Sequence, residues 1–265
     1  MTDVLKRNNV KVSGEGDQVM MFAHGFGCDQ NVWRHLIQHY RDSFRIVTFD
    51  NVGAGNSDKG AYDSDKYSSL DGYADDILEI LEALGADKVV FIGHSVSAMT
   101  GMKAAIKKPG YFSNLIFVAP SPCYMNDGSY RGGMDRADLE ALLDMMDRNY
   151  LGWSSTLAPL IMGNEDRPEL TDELRDNFCS TDPDIAKEFA RVTFLSDCRA
   201  SLRELKVKSL TLQCSDDMLA PLEVGYFIQE QTAGNTLTIL SATGHCPHLS
   251  APAETITAIN TFIGV

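Results

Sequence analysis

Short runs of apolar and β-branched residues recur along the chain, separated by stretches with helical spacing. Each run has the length and composition of a buried strand. Because strands and helices alternate, the pattern predicts right-handed βαβ units and a mostly parallel sheet. The predicted strands cover residues 19–25, 45–50, 88–93, 114–120, 209–214 and 236–240.

The clearest helical pattern lies in residues 70–86, LDGYADDILEILEALGA. Apolar side chains recur there every three or four positions, which places them on one face of a helix. Gly85 follows this face and is a candidate C-cap, since glycine readily adopts the left-handed conformation that ends many helices. The residues of the apolar face are Tyr73, Ile77, Ile80, Leu81 and Leu84.

The alternation of strands and helices stops after Pro120. From Cys123 to about Arg203 the chain is rich in Met and acidic residues and has helical spacing, with no convincing strand. Such an insertion between two parallel strands is best interpreted as a cap over their C-terminal edge, where open α/β sheets bind ligands. The sequence therefore predicts a core of residues 1–122 and 206–265 and a helical cap of residues 123–205.

A serine lies at the junction of a predicted strand and a predicted helix, in the segment Gly93-His94-Ser95-Val96-Ser97. This context is typical of a nucleophile elbow, a strained turn that lifts the serine hydroxyl clear of the sheet. The start of the following helix favours developing negative charge. Ser97 stands where the usual pattern has a second glycine, and because serine is small we expect the turn to stay intact.

A serine hydroxyl is a weak nucleophile until a base takes its proton, so the elbow requires a histidine oriented by a carboxylate. Asp216 and Asp217 follow one predicted strand, and His245 follows the last one. Their loops converge on the sheet edge that carries Ser95. The spacing leaves both aspartates open as the acid, and His248 competes with His245 as the base.

Acyl transfer also requires an oxyanion hole of preorganised backbone N–H groups. One N–H group is expected from Val96, the residue after the nucleophile. The other is expected from Phe26, in the glycine-flanked turn after the first predicted strand. His24 and His94 are interpreted as packed structural residues, because this motif needs only the backbone of the turn.

Composition narrows the classes of function. The 265 residues are 44% hydrophobic and 23% charged, as in an ordinary globular protein. A net charge of −14 argues against nucleic-acid binding, which depends on Lys and Arg. Residues 123–205 contain 17 acidic and 9 basic residues, a net charge of −8 that we interpret as a solvated helical surface.

With no signal peptide and no membrane-spanning apolar run, the sequence predicts a soluble cytoplasmic protein without a membrane partner.

Metal and cofactor motifs are not evident. Six cysteines occur without a C-x-x-C pair, and the segment 245–248 has no second ligand cluster, so no metal site is predicted. The Gly-rich segment 50–58 lacks the Lys and the spacing of phosphate-binding loops and is interpreted as a loop at the sheet edge. No cofactor is predicted. Dehalogenases and epoxide hydrolases are disfavoured because they use Asp where this chain has Ser95.

Several longer motifs, among them FAHGFGCDQNVW, FIGHSVSA, PSPCYMND and GHCPH, resemble the RsbQ-like α/β-hydrolases of the bacterial sigma-B stress response. More distantly they resemble the plant receptors for strigolactones and karrikins. The resemblance covers essentially the whole chain. It implies an α/β-hydrolase fold with a four-helix cap, inserted after the strand that ends near Pro120, over a largely apolar pocket.

The resemblance also implies functional residues. It indicates Asp217 as the acid of a catalytic triad with Ser95 and His245. The implied activity is that of a serine hydrolase, of the carboxylesterase or lactonase type, which forms an acyl-enzyme with a small hydrophobic ester or lactone. The implied pocket residues are Phe26, Trp153, Leu157 and Phe194.

RsbQ-like proteins act together with a PAS-domain protein phosphatase of the PP2C type, so the resemblance implies this partner as well. Two functions therefore stay open: a hydrolase, or a ligand-binding signalling module with slow or no turnover. The chain departs from the RsbQ-like pattern beside the expected oxyanion hole. His24 stands in place of a proline and Ser97 in place of a glycine.

Overall fold

Within residues 3–265, which the computed structural model describes, seven strands form a single sheet. The strands are β1 (Lys11–Ser13), β2 (Val19–Ala23), β3 (Arg45–Phe49), β4 (Val89–His94), β5 (Phe112–Val118), β6 (Ser209–Asp216) and β7 (Asn235–Thr243). Their order across the sheet is β1-β3-β2-β4-β5-β6-β7. β1 runs antiparallel to β3, and every other neighbouring pair is parallel, which confirms the predicted mostly parallel sheet.

Eleven α-helices accompany the strands over the same residues, and none of them is long and apolar enough to cross a membrane. They are α1 (Val4–Arg7), α2 (Arg34–Tyr40), α3 (Leu70–Leu84), α4 (Val96–Lys107), α5 (Arg136–Arg148), α6 (Tyr150–Met162), α7 (Pro168–Ser180), α8 (Pro183–Leu195), α9 (Leu222–Gln231), α10 (Pro247–Ser250) and α11 (Pro252–Ile263). Short 3-10 helices cover Gln30–Trp33, Lys59–Ala61, Pro109–Tyr111 and Ala200–Glu204.

The apolar runs predicted as strands correspond to β2 to β7, and every strand end lies within three residues of its prediction. β1 was not predicted, because it is only three residues long, all of them exposed, and so leaves no apolar run. The predicted helix is confirmed as α3. Gly85 ends it in the left-handed conformation, with φ of 58°.

Layers of helices cover both faces of the sheet, and this explains why its central strands are apolar at successive positions. In β2, Met20 and Phe22 pack into one hydrophobic cluster. Met21 and Ala23 point to the opposite face and pack into another. Because both faces of the central strands are buried, side chains with chemical function are confined to the loops at the strand ends.

Four helices, α5 to α8, lie between β5 and β6, where the helical insertion was expected. Within this helical stretch, α5 and α6 are divided at Asn149. Its side-chain oxygen accepts a hydrogen bond from the N–H of Gly152, at 3.0 Å, and so caps α6. The division into a core of residues 1–122 and 206–265 and a cap of residues 123–205 stays a prediction.

The C-cap of α3 allows a test of backbone strain without steric side effects. We expect Gly85→Ala to lower the free energy of unfolding by about 1 kcal/mol, because alanine is disfavoured at positive φ. A Cβ atom at Gly85 meets nothing within 4 Å, so no clash contributes. Urea denaturation measures the change.

Gly110 is the matched control: its surroundings are equally open and its φ is not positive. Equal losses for Gly85→Ala and Gly110→Ala would contradict this explanation.

Candidate active site

The turn between β4 and α4 holds Ser95 in a strained backbone conformation, with φ of 55° and ψ of −123°. Non-glycine residues rarely adopt positive φ, and such strain persists only where the surroundings impose it. The N–H of Ser95 donates to the carbonyl oxygen of Val118 at the end of β5, at 2.9 Å. A Cβ atom at Gly93 would lie 2.5 Å from the carbonyl oxygen of Ser97, so this first glycine is required by close packing.

Three of the predicted residues form a continuous hydrogen-bond chain. Ser95 Oγ lies 2.8 Å from His245 Nε2, and His245 Nδ1 lies 2.7 Å from Asp217 Oδ2. All three are buried. Because the carboxylate accepts the Nδ1–H of the imidazole, Nε2 is left with a lone pair toward the Ser95 hydroxyl. The arrangement can remove a proton from Ser95.

Backbone N–H groups hold Asp217, the acidic residue of this hydrogen-bond chain, in place. Asp217 Oδ1 accepts hydrogen bonds from the N–H groups of Leu219 and Ala220, at 2.9 and 3.2 Å. The neighbouring Asp216 ends β6 with an exposed side chain. The structure therefore brings Asp217, and not Asp216, to the histidine.

His245 is joined to the inserted helices. Its backbone N–H donates to the carbonyl oxygen of Ile161 in α6, at 2.8 Å. Gly244 packs so closely on the same helix that a Cβ atom would lie within 2 Å of the carbonyl oxygen of Met162. The position of the imidazole thus depends on the last turn of α6.

Two further histidines are buried behind the hydrogen-bond chain. His94 Nε2 lies 2.8 Å from the backbone carbonyl oxygen of His245, to which it donates. The ring of His248 lies between the rings of His94 and Trp33, with centroids 4.5 Å apart in each case, and has no hydrogen-bond partner within the described residues. His248 is thus a packed ring, and it is His245 that reaches Ser95.

Burial keeps both of these rings neutral. Desolvation lowers the pKa of His94 well below its ordinary value, and the neighbouring histidines lower it further. The same causes lower the pKa of His248 to about 3. An uncharged His94 can donate from Nε2 while its Nδ1 packs against Gly25, where a Cβ atom would lie only 2.5 Å away.

The two departures from the RsbQ-like pattern contact each other. The hydroxyl of Ser97 donates to the carbonyl oxygen of His24, at 2.5 Å. His24 Nδ1 lies 2.8 Å from the carbonyl oxygen of Gly25, and its Nε2 accepts from the N–H of Asn51, at 3.0 Å. The Gly-rich segment that contains Asn51 therefore braces the turn at His24 and Gly25. Ser97 ties the same turn to the start of α4.

This bracing positions the two N–H groups expected to form an oxyanion hole. Within residues 3–265, neither the N–H of Phe26 nor that of Val96 has a hydrogen-bond partner. Val96 begins α4, where backbone N–H groups carry partial positive charge. The turn lies beside the nucleophile, because a Cβ atom at Gly25 would be 3.3 Å from Ser95 Cβ. Both groups are available to an anion that forms at Ser95.

A narrow, mostly apolar cavity of about 20 Å³ opens at Ser95. Of the four pocket residues implied by the resemblance, Phe26 and Phe194 lie in its wall. Trp153 packs edge-on against Phe26 at 6.1 Å, one layer behind the wall, and Leu157 is buried in the same hydrophobic cluster. Other wall residues come from the inserted helices, namely Ile161, Leu174, Phe178 and Thr193.

Tyr124 was not predicted as a site residue, although it lies in the cavity wall. Its hydroxyl lies 3.1 Å from Ser95 Oγ. Because the serine proton points toward His245, the tyrosine is the donor in this pair. Desolvation raises the pKa of Tyr124 and keeps it protonated. Tyr124 belongs to the motif PSPCYMND, which carries part of the resemblance. The spacing of residues along the chain does not indicate that Tyr124 lies beside the nucleophile.

No group of three or more His, Cys, Asp or Glu side chains in the described part of the chain is arranged to hold a metal ion. The six cysteines are free, and all but Cys179 are buried. Desolvation raises the pKa of Cys28 to about 12, which keeps this thiol in the cavity wall protonated. It behaves as a small apolar residue there.

The buried His248 gives a prediction for acid stability. Its pKa of about 3 in the folded protein lies below the value of about 6.5 in an unfolded chain. Below pH 6.5 the unfolded chain therefore binds the proton first, and the free energy of unfolding falls as the pH drops. We expect His248→Gln to reduce this slope between pH 6 and pH 5 by roughly 1 kcal/mol per pH unit, measured by urea denaturation. The exposed His39→Gln serves as control, and an equal slope in all three proteins would contradict the prediction.

Comparison with known proteins places the chain in a family. Residues 20–258 match the model of the alpha/beta hydrolase family. The chain is 38% identical over 250 residues to Karrikin insensitive 2 receptor CA of Petunia hybrida, covering 94% of this chain and 93% of that protein. It is 36% identical over 253 residues to Strigolactone esterase D14 of Arabidopsis thaliana, covering 95% and 94%. A solved hydrolase structure from Oleispira antarctica superimposes with a TM-score of 0.96 at 42% identity, covering 99% of this chain and 96% of that one. The chain belongs to the α/β hydrolase family.

Proposed function

We propose that this protein is a serine hydrolase in which Ser95 is the nucleophile, His245 the general base and Asp217 the residue that orients the base. The observation that carries the proposal is the buried hydrogen-bond chain through these three side chains, with distances of 2.8 and 2.7 Å. Relatives named as esterases support hydrolase activity.

In the proposed reaction, Ser95 Oγ attacks the ester carbonyl carbon as its proton moves to His245 Nε2. Negative charge develops on the carbonyl oxygen, where the N–H groups of Phe26 and Val96 stabilise it. Asp217 stabilises the imidazolium that forms. When the intermediate collapses, His245 returns the proton to the leaving alkoxide and an acyl-enzyme remains. Water, deprotonated by His245, then attacks the acyl-enzyme and releases the acid.

The cavity indicates the class of substrate. The cavity is narrow, with a volume of about 20 Å³, and most of its wall is apolar and aromatic. No Lys or Arg side chain lies in this wall, so a charged acid gains no ion pair there. We therefore propose a small, uncharged, hydrophobic ester or lactone as substrate.

A second candidate function is that of a signalling module in which ligand binding, with slow or no turnover, is the output. Several relatives are named as receptors. The hydrogen bond from the N–H of His245 to Ile161 links the reacting centre to the helices that would contact a partner. The resemblance to RsbQ-like proteins supports cytoplasmic stress signalling with a PAS-domain phosphatase of the PP2C type as partner.

Substitution of the nucleophile tests the hydrolase proposal. We expect Ser95→Ala to lower kcat for p-nitrophenyl esters of short-chain acids by at least about a thousandfold, because it removes the hydroxyl that is hydrogen-bonded to His245. Mass spectrometry should detect an acyl adduct in the unsubstituted protein and none in the variant. Ser113→Ala is the control, because Ser113 lies at the start of β5, whereas Ser95 contacts Val118 at the end of that strand.

The same assay separates the two aspartates and the two functions. Asp217→Asn should lower kcat far more than Asp216→Asn, because only Asp217 contacts His245. Near-normal turnover by Ser95→Ala would refute the nucleophile assignment. Ester binding without turnover or adduct in the unsubstituted protein would favour the signalling module.

Tyr124 gives a further test of the reacting geometry. We expect Tyr124→Phe to lower kcat/KM by about three- to tenfold, the worth of one neutral hydrogen bond, because Ser95 loses the donor that orients its oxygen. Tyr130→Phe is the control, since that hydroxyl donates to the backbone of Cys123 instead. Equal effects of the two substitutions on kcat/KM would rule out a specific role for Tyr124.

A further inference from the structure

Thr193 in α8 carries a buried hydroxyl with no hydrogen-bond partner in the described structure. A threonine within a helix commonly donates to the carbonyl oxygen of the preceding turn. Thr156 in α6 does so, with its hydroxyl 2.9 Å from the carbonyl oxygen of Gly152. The Thr193 side chain makes no such bond, although it is only 1% exposed and so receives little compensation from solvent.

The cavity wall is the place where this hydroxyl can find a partner. Thr193 lies in the same wall as Ser95 and Tyr124. The hydroxyls of Ser95 and Tyr124 bond to each other, and Ser95 also bonds to His245. Among the hydroxyl groups of the wall, that of Thr193 is therefore the one left uncommitted.

An unpaired buried hydroxyl lowers the stability of the free protein. Valine has nearly the shape of threonine and would occupy the same space without this cost. Within residues 3–265, Thr193 Oγ1 has no partner that offsets this cost. A polar atom of a bound ligand would offset it.

We infer that the Thr193 hydroxyl donates a hydrogen bond to a second oxygen of the ligand, apart from the carbonyl that Ser95 attacks. This inference rests on the proposed function, because the N–H groups of Phe26 and Val96 are assigned there to the reacting carbonyl. An acceptor on the ligand fits best, since buried donors are left unpaired more rarely than buried acceptors. The ligand is then a compact ester or lactone with an additional ether or carbonyl oxygen that faces α8.

Two pairs of substrates of matched shape test this inference. p-Nitrophenyl methoxyacetate and p-nitrophenyl butyrate differ by an ether oxygen in place of a methylene group in the acyl part. 2-Methoxyethyl acetate and butyl acetate differ in the same way in the alcohol part. For each pair the ratio of kcat/KM, ether over alkyl, is measured in the unsubstituted protein and in each variant. Intrinsic reactivity cancels when the ratios are compared between proteins.

We expect Thr193→Val to lower this ratio by about three- to tenfold in at least one pair, and Thr193→Ser to keep it within about twofold. Thr156→Val makes the same change at an exposed position in α6, serves as the control and should leave both ratios unchanged. Unchanged ratios for both pairs in Thr193→Val would overturn the inference.

The stability of the free protein gives a second readout. The melting temperature of Thr193→Val should equal or exceed that of the unsubstituted protein, because an unpaired buried donor is removed. A clear decrease would show that the hydroxyl has a partner inside the protein, and would also overturn the inference.

The design separates this inference from the proposed function. If the unsubstituted protein hydrolyses none of the four esters, the hydrolase proposal fails, and the ratios are measured as affinities instead. Quenching of tryptophan fluorescence reports binding, because Trp153 packs against Phe26 in the cavity wall. The same three- to tenfold loss in Thr193→Val would then support the inference, and no loss would refute it.

Discussion

The strained backbone of Ser95 is the constraint on which the rest of the site depends. Its positive φ turns the chain sharply from the central strand β4 into α4 and directs the hydroxyl into the cavity at the sheet edge. Two contacts close the turn. Gly93 lets the start of α4 approach the end of β4, and the carbonyl oxygen of Val118 in β5 accepts a hydrogen bond from the N–H of Ser95. The packed sheet maintains this conformation, since both faces of β4 are buried. The strain is thus supported by the stability of the whole core.

Around this turn, neutral buried polar groups position the reacting atoms without adding charge. His94 holds the backbone of His245, while His24 and Ser97 hold the turn that carries Phe26. Each hydrogen bond is modest in free energy, but together they restrict the freedom of the groups that must meet the substrate. The departures at His24 and Ser97 add contacts between the two halves of the expected oxyanion hole, so they are compatible with a functional site.

The inserted helices take part in the site and do more than cover it. The carbonyl oxygen of Ile161 in α6 accepts a hydrogen bond from the N–H of His245. The wall of the cavity includes residues of α6, α7 and α8. A movement of these helices would therefore change both access to Ser95 and the position of its base. This physical link is common to the hydrolase and to the signalling module, because either function needs the ligand to bind where both parts of the protein meet. The two proposed functions differ in whether turnover of the ligand or its binding is the output.

The sequence by itself predicted the alternation of strands and helices from β2 onward, the strand-to-helix turn at Ser95 and a helical stretch between β5 and β6, because local periodicity and glycine placement encode them. It narrowed the base to two histidines and the acid to adjacent aspartates. Only the tertiary structure brought His245 and Asp217 to Ser95, since residues some 30 to 150 positions apart in the chain meet through packing. It alone placed Tyr124 beside the nucleophile and Thr193 in the cavity wall. A side chain's partners depend on which elements pack against it, and spacing along the chain does not carry that information.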